Sequence, residues 1–226
     1  MIDAKRALIF AAHADDEIIG PGGTIRRMAS AGCAVTVVIF TKGETAYSSE
    51  DEKKTIAETR ARESAEAAKI LGVAKTVNLG LPCQGVMNTK DLYQKCVEII
   101  RSFQPEVIFS HYREDKHRDH RTVSEITEEA WWKAQENVLS DLGKPWMASG
   151  FFFYEIFELF TRPSIVVDIT GFLDRKLEAM RSQQSQLKVV PGIMEHIEGL
   201  AKVRGAAAGV GRGEAFLESN FMPRTG

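Results

Sequence analysis

The chain has 226 residues, of which 44% are hydrophobic and 27% are charged, and its formal net charge is −2. This balance is typical of a globular protein, so we expect a single domain over residues 1–226 and exclude a disordered chain. The near-neutral charge argues against a protein that binds nucleic acid by broad electrostatic attraction.

The cysteines and the apolar runs bear on the compartment. Three widely spaced cysteines without a C-x-x-C pair favour a reducing environment, which we take to be the cytoplasm. The apolar run near the N-terminus is short and ends in acids, unlike a signal peptide. No run approaches the roughly 18 apolar residues that a membrane-spanning helix needs.

Strands and helices are predicted to alternate along the first half of the chain. Short apolar or β-branched runs predict strands at 6–12, 33–40, 75–81 and 106–111. Helical patterns between them cover 24–31, a long segment from a capping box at Ser49 and Glu52 to Leu71, and 92–103. This order predicts a Rossmann-like three-layer α/β sandwich with a mostly parallel central sheet.

The second half is predicted less regularly. We expect a helix around 120–138, strands near 151–159 and 164–169, a helix around 172–188, a short helix around 196–205 and a Gly-rich tail. We see no internal repeat and no linker.

Two clusters of histidines and carboxylates directly follow predicted strands. The first is His13–Glu17, after the first strand, and the second is His111–His120, after the fourth. Together they contain four of the five histidines in the chain. Ligands of an open parallel sheet bind beyond the carboxyl ends of its strands, so we expect the two clusters to meet there.

Imidazole and carboxylate are the ligands of a borderline metal such as Zn²⁺. His13, Asp16 and His120 would supply two histidines and one carboxylate, and Asp15 would remain free to take a proton from water activated by the metal. Each motif alone has a simpler explanation. H-x-x-D after a strand is often a helix cap beside a surface histidine, and Asp119 could simply cap the next helix.

The two motifs together resemble those of the PIG-L/LmbE-like N-deacetylases. The family's A-H-P-D-D-E motif is matched by Ala12–Glu17, and its H-x-D-H motif by His117–His120. Further similar segments span nearly the whole chain: Gly22–Thr24, Thr41–Glu44, Arg60–Glu63, Val167–Thr170 and Gly213–Phe216.

The resemblance implies a metal-dependent hydrolase that removes the acetyl group from an N-acetylated amino sugar or sugar conjugate. The metal would be zinc, with ferrous iron or another divalent ion as alternatives. The implied metal ligands are His13, Asp16 and His120, and Asp15 would be the general base. His117 would stabilise the oxyanion or protonate the leaving amine, and Asp119 would orient a catalytic histidine.

Substrate contacts are implied for two residues, and three positions depart from the family pattern. Arg60 resembles a sugar-binding residue, although it could instead form a surface pair with Glu63 one helical turn away. Asp115 stands where some relatives have a tyrosine and would border the substrate pocket. Ala14 replaces the usual proline, which ligates nothing. Gln183 replaces a histidine, which suggests an altered subunit or substrate contact.

The implied partner is a small N-acetylated sugar, with no nucleic acid and no integral membrane association. A homo-oligomer, either a trimer or a hexamer, is plausible from the family. Two other functions stay open. One is a metallohydrolase that cleaves a different amide or an ester at the same site, and the other is a non-catalytic Rossmann-type module that binds a sugar or nucleotide.

Overall fold

The computed structural model describes residues 4–222, and a seven-stranded sheet runs through their centre. Its strands are Arg6–Ala11 (β1), Ala34–Thr41 (β2), Lys75–Leu81 (β3), Val107–His111 (β4), Gly150–Tyr154 (β5), Ile165–Asp168 (β6) and Gly213–Glu218 (β7). Their spatial order is β3-β2-β1-β4-β5-β7-β6. Strands β1 to β5 are parallel, whereas β7 runs antiparallel to both β5 and β6.

Helices cover both faces of the sheet. They are Asp16–Ile19 (α1), Gly22–Ser30 (α2), Glu50–Lys53 (α3), Ile56–Leu71 (α4), Lys90–Phe103 (α5), Arg118–Ala134 (α6), Leu173–Ser182 (α7), Gln184–Val189 (α8) and Ile193–Ala208 (α9). Helix α7 packs against α2, α4 and α9, while α5 packs against α6. The predicted three-layer α/β fold is confirmed. None of the helices described is long and apolar enough to cross a membrane.

The core consists of two apolar clusters, one on each face of the sheet. Along β1, Ala7 and Ile9 belong to one cluster, whereas Leu8 and Phe10 belong to the other. All four side chains are buried, because successive residues of a strand point to opposite faces and both faces are covered by helices. This burial explains why the strand reads as a continuous apolar run.

Four sequence expectations were wrong in detail. The Gly-rich tail, in which no strand was predicted, contains β7, whose backbone pairs with two strands far away in sequence. The helix expected up to Leu71 is divided into α3 and α4, and the one expected over 172–188 is divided at Gln183. The strand expected near 151–159 ends at Tyr154, and the buried carboxylate of the next residue, Glu155, accepts a hydrogen bond from Arg204.

Strand pairing brings the two histidine clusters together. Strands β1 and β4 are adjacent and parallel, with Ala7 opposite Val107 and Ile9 opposite Phe109. Their carboxyl ends therefore open on the same edge of the sheet, as expected from the sequence. The turn after β1 is tight, because the carbonyl of His13 accepts the N–H of Asp15.

A buried ion pair joins the end of the chain to its first helices. Lys176 Nζ on α7 lies 2.6 Å from Glu214 Oε1 on β7, and both side chains are almost fully buried. The Glu214 carboxylate also accepts the N–H groups of Gly23 and Thr24, each at 2.7 Å, at the start of α2. Lys176 donates in addition to the carbonyl of Gly20. The Glu214 carboxylate thus accepts hydrogen bonds from a buried helix N-terminus.

We predict that Lys176→Met lowers the free energy of unfolding by about 3–5 kcal/mol, because it leaves a buried carboxylate without its cation. The matched control is Arg175→Met, since Arg175 is the next residue on α7 but pairs with Glu178 at an exposed site. That change should cost about 0–1 kcal/mol. Urea denaturation of both variants tests this, and equal losses would contradict it.

Candidate metal centre

Three potential ligand atoms converge beyond the ends of β1 and β4. His13 Nδ1 lies 3.3 Å from Asp16 Oδ2 and 3.3 Å from His120 Nε2, and His120 Nε2 lies 3.4 Å from Asp16 Oδ1. A tetrahedral zinc ion with bonds of about 2.0–2.1 Å holds neighbouring ligand atoms about 3.3–3.4 Å apart. The spacing of these three residues therefore fits a divalent metal.

The other ring nitrogen of each histidine faces a carboxylate. His13 Nε2 lies 3.2 Å from Asp119 Oδ2, and His120 Nδ1 lies 3.2 Å from Asp115 Oδ1. A carboxylate in this position fixes the orientation of the imidazole and directs its lone pair inward. The geometry thus resembles that of metal-ligating histidines with their outer carboxylates.

Two further histidines lie close by, and their lone pairs are already engaged. His111 Nε2 accepts the N–H of Ala12 at 2.9 Å, and His117 Nδ1 accepts the N–H of Asp119 at 3.2 Å. Both rings belong to groups that could surround an ion. Because a neutral imidazole has only one lone pair, neither nitrogen is free for a metal, which leaves His13 and His120 as the better donors.

The charges at the centre are strongly coupled. Burial disfavours a charged ring, but contacts with Asp119 and Asp16 outweigh it and raise the pKa of His13 to about 10. In the same way, Asp16 and Asp115 outweigh burial and raise the pKa of His120 to about 9. Burial lowers the pKa of His111 to about 4, so that ring is neutral. Without a metal, two imidazolium groups therefore compensate the buried carboxylates.

Asp15 lies beside the three ligands but does not belong to them. Its Oδ1 is 3.4 Å from Nη2 of Arg60, which also donates to the carbonyl of Ala14 at 2.8 Å. Gly43 makes room for Arg60, because a Cβ at Gly43 would lie 2.6 Å from Arg60 Cδ. The guanidinium therefore fixes the turn that carries Asp15.

This position changes the interpretation of Arg60. The side chain is only 2% exposed, so the surface pair with Glu63 is wrong. Glu63 instead accepts both the N–H and the hydroxyl of Ser185. Arg60 contacts Asp15 and the backbone, so it is placed to hold the acid and has little surface left to touch a sugar.

Asp115 also lies deeper than a pocket-lining residue. It is 1% exposed, and its carboxylate accepts the N–H groups of His117 at 2.8 Å and Phe157 at 3.2 Å in addition to facing His120. The substrate contact expected from the sequence does not fit this burial. The position instead links a potential ligand to two neighbouring loops.

The other two departures from the family pattern have simple structural accounts. The N–H of Ala14 binds no acceptor within residues 4–222, so a proline there would lose no hydrogen bond. Gln183 is fully buried where α7 meets α8. It therefore has no surface for the subunit or substrate contact suggested by the sequence.

Two residues at the rim of the site were missed by sequence reasoning. Phe157 stacks over His120, with ring centroids 6.0 Å apart and planes 3° apart. Gln84 adopts a left-handed backbone with φ of 60° and donates its N–H to Asp119 Oδ2 at 2.7 Å. No local pattern marks either residue, because each reaches the centre through a loop distant in sequence.

Comparison with known proteins identifies the surrounding fold. Residues 8–131 match the model of the PIG-L family, described as GlcNAc-PI de-N-acetylase. Diacetylchitobiose deacetylase of Thermococcus kodakarensis is 27% identical over 194 residues, covering 81% of this chain and 71% of that protein.

Two solved structures have the same architecture. One is N,N'-diacetylchitobiose deacetylase from Pyrococcus horikoshii, with a TM-score of 0.87 and 27% identity over 99% of this chain and 88% of that chain. The other is 4-carboxy-2-hydroxymuconate hydratase from Pseudomonas putida KT2440, with a TM-score of 0.87 and 25% identity over 98% of both chains. Since one fold supports both deacetylation and hydration, the site must distinguish them.

We predict that a divalent metal displaces about two protons on binding near pH 7, because His13 and His120 are charged in the metal-free protein and must be neutral to ligate. The apparent metal affinity should therefore rise with pH up to the histidine pKa values. Calorimetric titration with Zn²⁺ in buffers of different ionisation enthalpy measures the released protons. His196→Ala, which changes a histidine outside the centre, serves as the control, and heats independent of the buffer would argue against this set of ligands.

Proposed function

Because this chain belongs to the PIG-L family, we propose that it hydrolyses the acetamide of an N-acetylated amino sugar or sugar conjugate and releases acetate and a free amine. The observation that supports this most directly is a carboxylate, Asp15, held beside three converged ligand atoms without belonging to them. Amide hydrolysis at a metal needs this combination of a ligand set and a separate base.

We propose zinc as the metal, held by His13, Asp16 and His120. Two imidazoles and one carboxylate with a fourth position open are a common ligand set of catalytic zinc, although ferrous iron accepts the same donors. When bound, the metal polarises the amide carbonyl and makes water more acidic. Asp119 and Asp115 hold the two imidazoles in the orientation that ligation requires.

Asp15 acts as the general base in this proposal. It takes a proton from the attacking water while Arg60 keeps its carboxylate in place through the 3.4 Å contact. The side chain of Asp15 retains some exposure, about 10%, so water and substrate can reach it. Arg60 is therefore assigned a positioning role, in place of the sugar contact that the resemblance implied.

His117 acts as the donor to the substrate oxygen. Since its Nδ1 accepts the N–H of Asp119, the neutral ring carries its proton on Nε2. Burial of the ring, the largest cause, lowers the pKa of His117 and thus favours the neutral ring. Its N–H can stabilise the oxyanion formed when water adds to the carbonyl. The C–N bond then breaks, and the amine leaves with the proton that Asp15 accepted.

The substrate class rests on the relatives. The family description and the diacetylchitobiose deacetylases both refer to N-acetylglucosamine units, so an N-acetylglucosamine conjugate is the favoured substrate. A second candidate reaction is addition of water to an unsaturated tricarboxylate, since the Pseudomonas hydratase superposes as well as the Pyrococcus deacetylase.

Acetate release from a panel of N-acetylated amino sugars tests the proposal directly. Purified protein loaded with zinc or ferrous iron is compared with a chelated sample. A conjugated unsaturated tricarboxylate, 4-carboxy-2-hydroxymuconate, is included, and its loss of ultraviolet absorbance reports hydration. Chelator-sensitive acetate release supports deacetylation. Loss of absorbance without acetate release would favour hydration and overturn the proposal.

We predict that Asp15→Asn lowers kcat for acetate release by about 10²–10⁴-fold, the usual contribution of a general base, while metal content stays unchanged. His120→Ala should instead lose the metal. Asp51→Asn, at an exposed position of α3, is the control for loss of one carboxylate. Steady-state kinetics with metal analysis distinguishes these variants, and a fully active Asp15→Asn would exclude Asp15 as the base.

We predict that Asp115→Asn weakens metal affinity about 10–100-fold, because the charge that orients His120 is lost while the shape is kept. Glu114→Gln is the matched control, since Glu114 is the exposed acid next to it in the same loop. Competition with a chromophoric chelator measures both variants. If Asp115 contacts substrate instead, its variant should raise KM and leave metal affinity unaltered.

A further inference from the structure

A surface cavity of about 550 Å³ is lined in part by Arg118, the residue between His117 and Asp119 in the sequence. Its lining includes three arginines, Arg113, Arg118 and Arg121, and two glutamates, Glu125 and Glu128. None of the five has a role in the proposed hydrolysis. The cavity therefore requires a separate account.

The cavity and the metal centre share two walls. One wall is the start of α6, where Arg118 stands between His117 and Asp119. The other is the loop after β3, which contributes Val86 to the cavity and, two residues earlier, the Gln84 N–H that binds Asp119. These two common segments are the basis for assigning the cavity and the metal centre to one substrate.

Of the charged side chains that line the cavity, Arg118 has no ion-pair or hydrogen-bond partner among the described residues. Arg113 Nη2 pairs with Glu128 Oε1 at 2.9 Å, and Glu125 accepts a hydrogen bond from Asn88. The guanidinium of Arg118 meets no hydrogen-bond acceptor or carboxylate within the described range 4–222. An exposed guanidinium without a partner, facing a cavity, is available to a ligand.

Arg121 provides a second guanidinium that lines the same cavity. Arg121 Nη1 donates to the carbonyls of Asp115 and Lys116, at 2.8 and 2.7 Å. These bonds fix the direction of the side chain and leave its Nε and Nη2 groups without a partner in the described part of the chain. Arginine forks match the oxygens of phosphate and carboxylate groups, so the pair forms a donor set for an oxyanion.

We propose that this cavity binds an oxyanion, a phosphate or a carboxylate, carried by the substrate, with Arg118 as the principal contact and Arg121 as the second. The proposal rests on the proposed deacetylase function and narrows its substrate to an anionic amino-sugar conjugate. Glu125 opposes an anion, because its carboxylate also lines the cavity. The site therefore selects an anionic substituent through two arginines and holds it more weakly than a site without an acid.

Binding of the deacetylated products tests this without requiring turnover. The metal-loaded protein is titrated with glucosamine, glucosamine 1-phosphate, glucosamine 6-phosphate and muramic acid, which carries a carboxylate. All four keep the amine, so the ratio of affinities isolates the anionic group. The phosphates and the carboxylate are separate arms that distinguish the two oxyanions.

The expected result is a preference of about tenfold or more for one anionic member over glucosamine, which falls to near unity in Arg118→Ala and decreases as salt is added. The control is Arg62→Ala, which removes the same charge from an exposed position of α4. Equal binding of all four sugars would overturn the inference. A preference that survives Arg118→Ala would also overturn it, because the anion would then contact the metal or another surface. Acetate release is measured separately, so failure of the deacetylase proposal remains distinguishable.

Discussion

The buried carboxylate of Asp16 is the constraint on which the centre depends. A charge removed from water is tolerated only when it is paired and hydrogen-bonded. Here Oδ2 accepts the N–H of His13 at 2.7 Å, and Oδ1 lies 3.4 Å from Nε2 of His120, whose pKa is raised to about 9. These contacts join the turn after β1 to the start of α6. Adjacent parallel strands bring the segments near each other, and the carboxylate sets their final spacing.

Two further carboxylates, Asp119 and Asp115, connect the histidines of the candidate centre to the loops around it. Asp119 contacts His13 and the N–H of Gln84, and Asp115 contacts His120 and the N–H of Phe157. Each carboxylate therefore binds an imidazole with one part of its capacity and a loop with another. Each loop and its histidine contact the same carboxylate. A movement of the loop would therefore shift the carboxylate and change the orientation of the imidazole. The orientation of the two histidines is thus coupled to the positions of the loops that carry Gln84 and Phe157.

The sequence was sufficient for the part of the fold that depends on local pattern. Continuous apolar runs marked β1 to β4, and their order placed the two histidine clusters on one edge. Strand β7 was not predicted because it begins with a glycine, has no continuous apolar run and is stabilised by pairing with β5 and β6. The division of the helix before Leu71 was likewise hidden, since helical spacing continues on both sides of it.

The same distinction holds for the site. The ligand types could be proposed from the motifs, because metal preference follows donor chemistry. The roles of Arg60 and Asp115 could not be predicted from the motifs, because each role depends on how deeply the side chain is buried. A charged residue near a motif looks equally suited to touch substrate or to hold a neighbour. The 2% and 1% exposure of these two residues supports the positioning roles that we propose for them. The outer contacts of Gln84 and Phe157 required the tertiary structure entirely.

At the start of α6, helix geometry places neighbouring residues of the H-x-D-H segment in different surroundings. In the H-x-D-H segment, His117 and His120 both face the centre, whereas the intervening Arg118 is turned about 100° from His117 around the helix axis and lines the neighbouring cavity. The ligands are confined by buried carboxylates, so they tolerate little change. The intervening position has no such partner and can vary without disturbing them. Two solved structures with this fold are a deacetylase and a hydratase, so the fold by itself does not decide the reaction, and residues around the centre must do so.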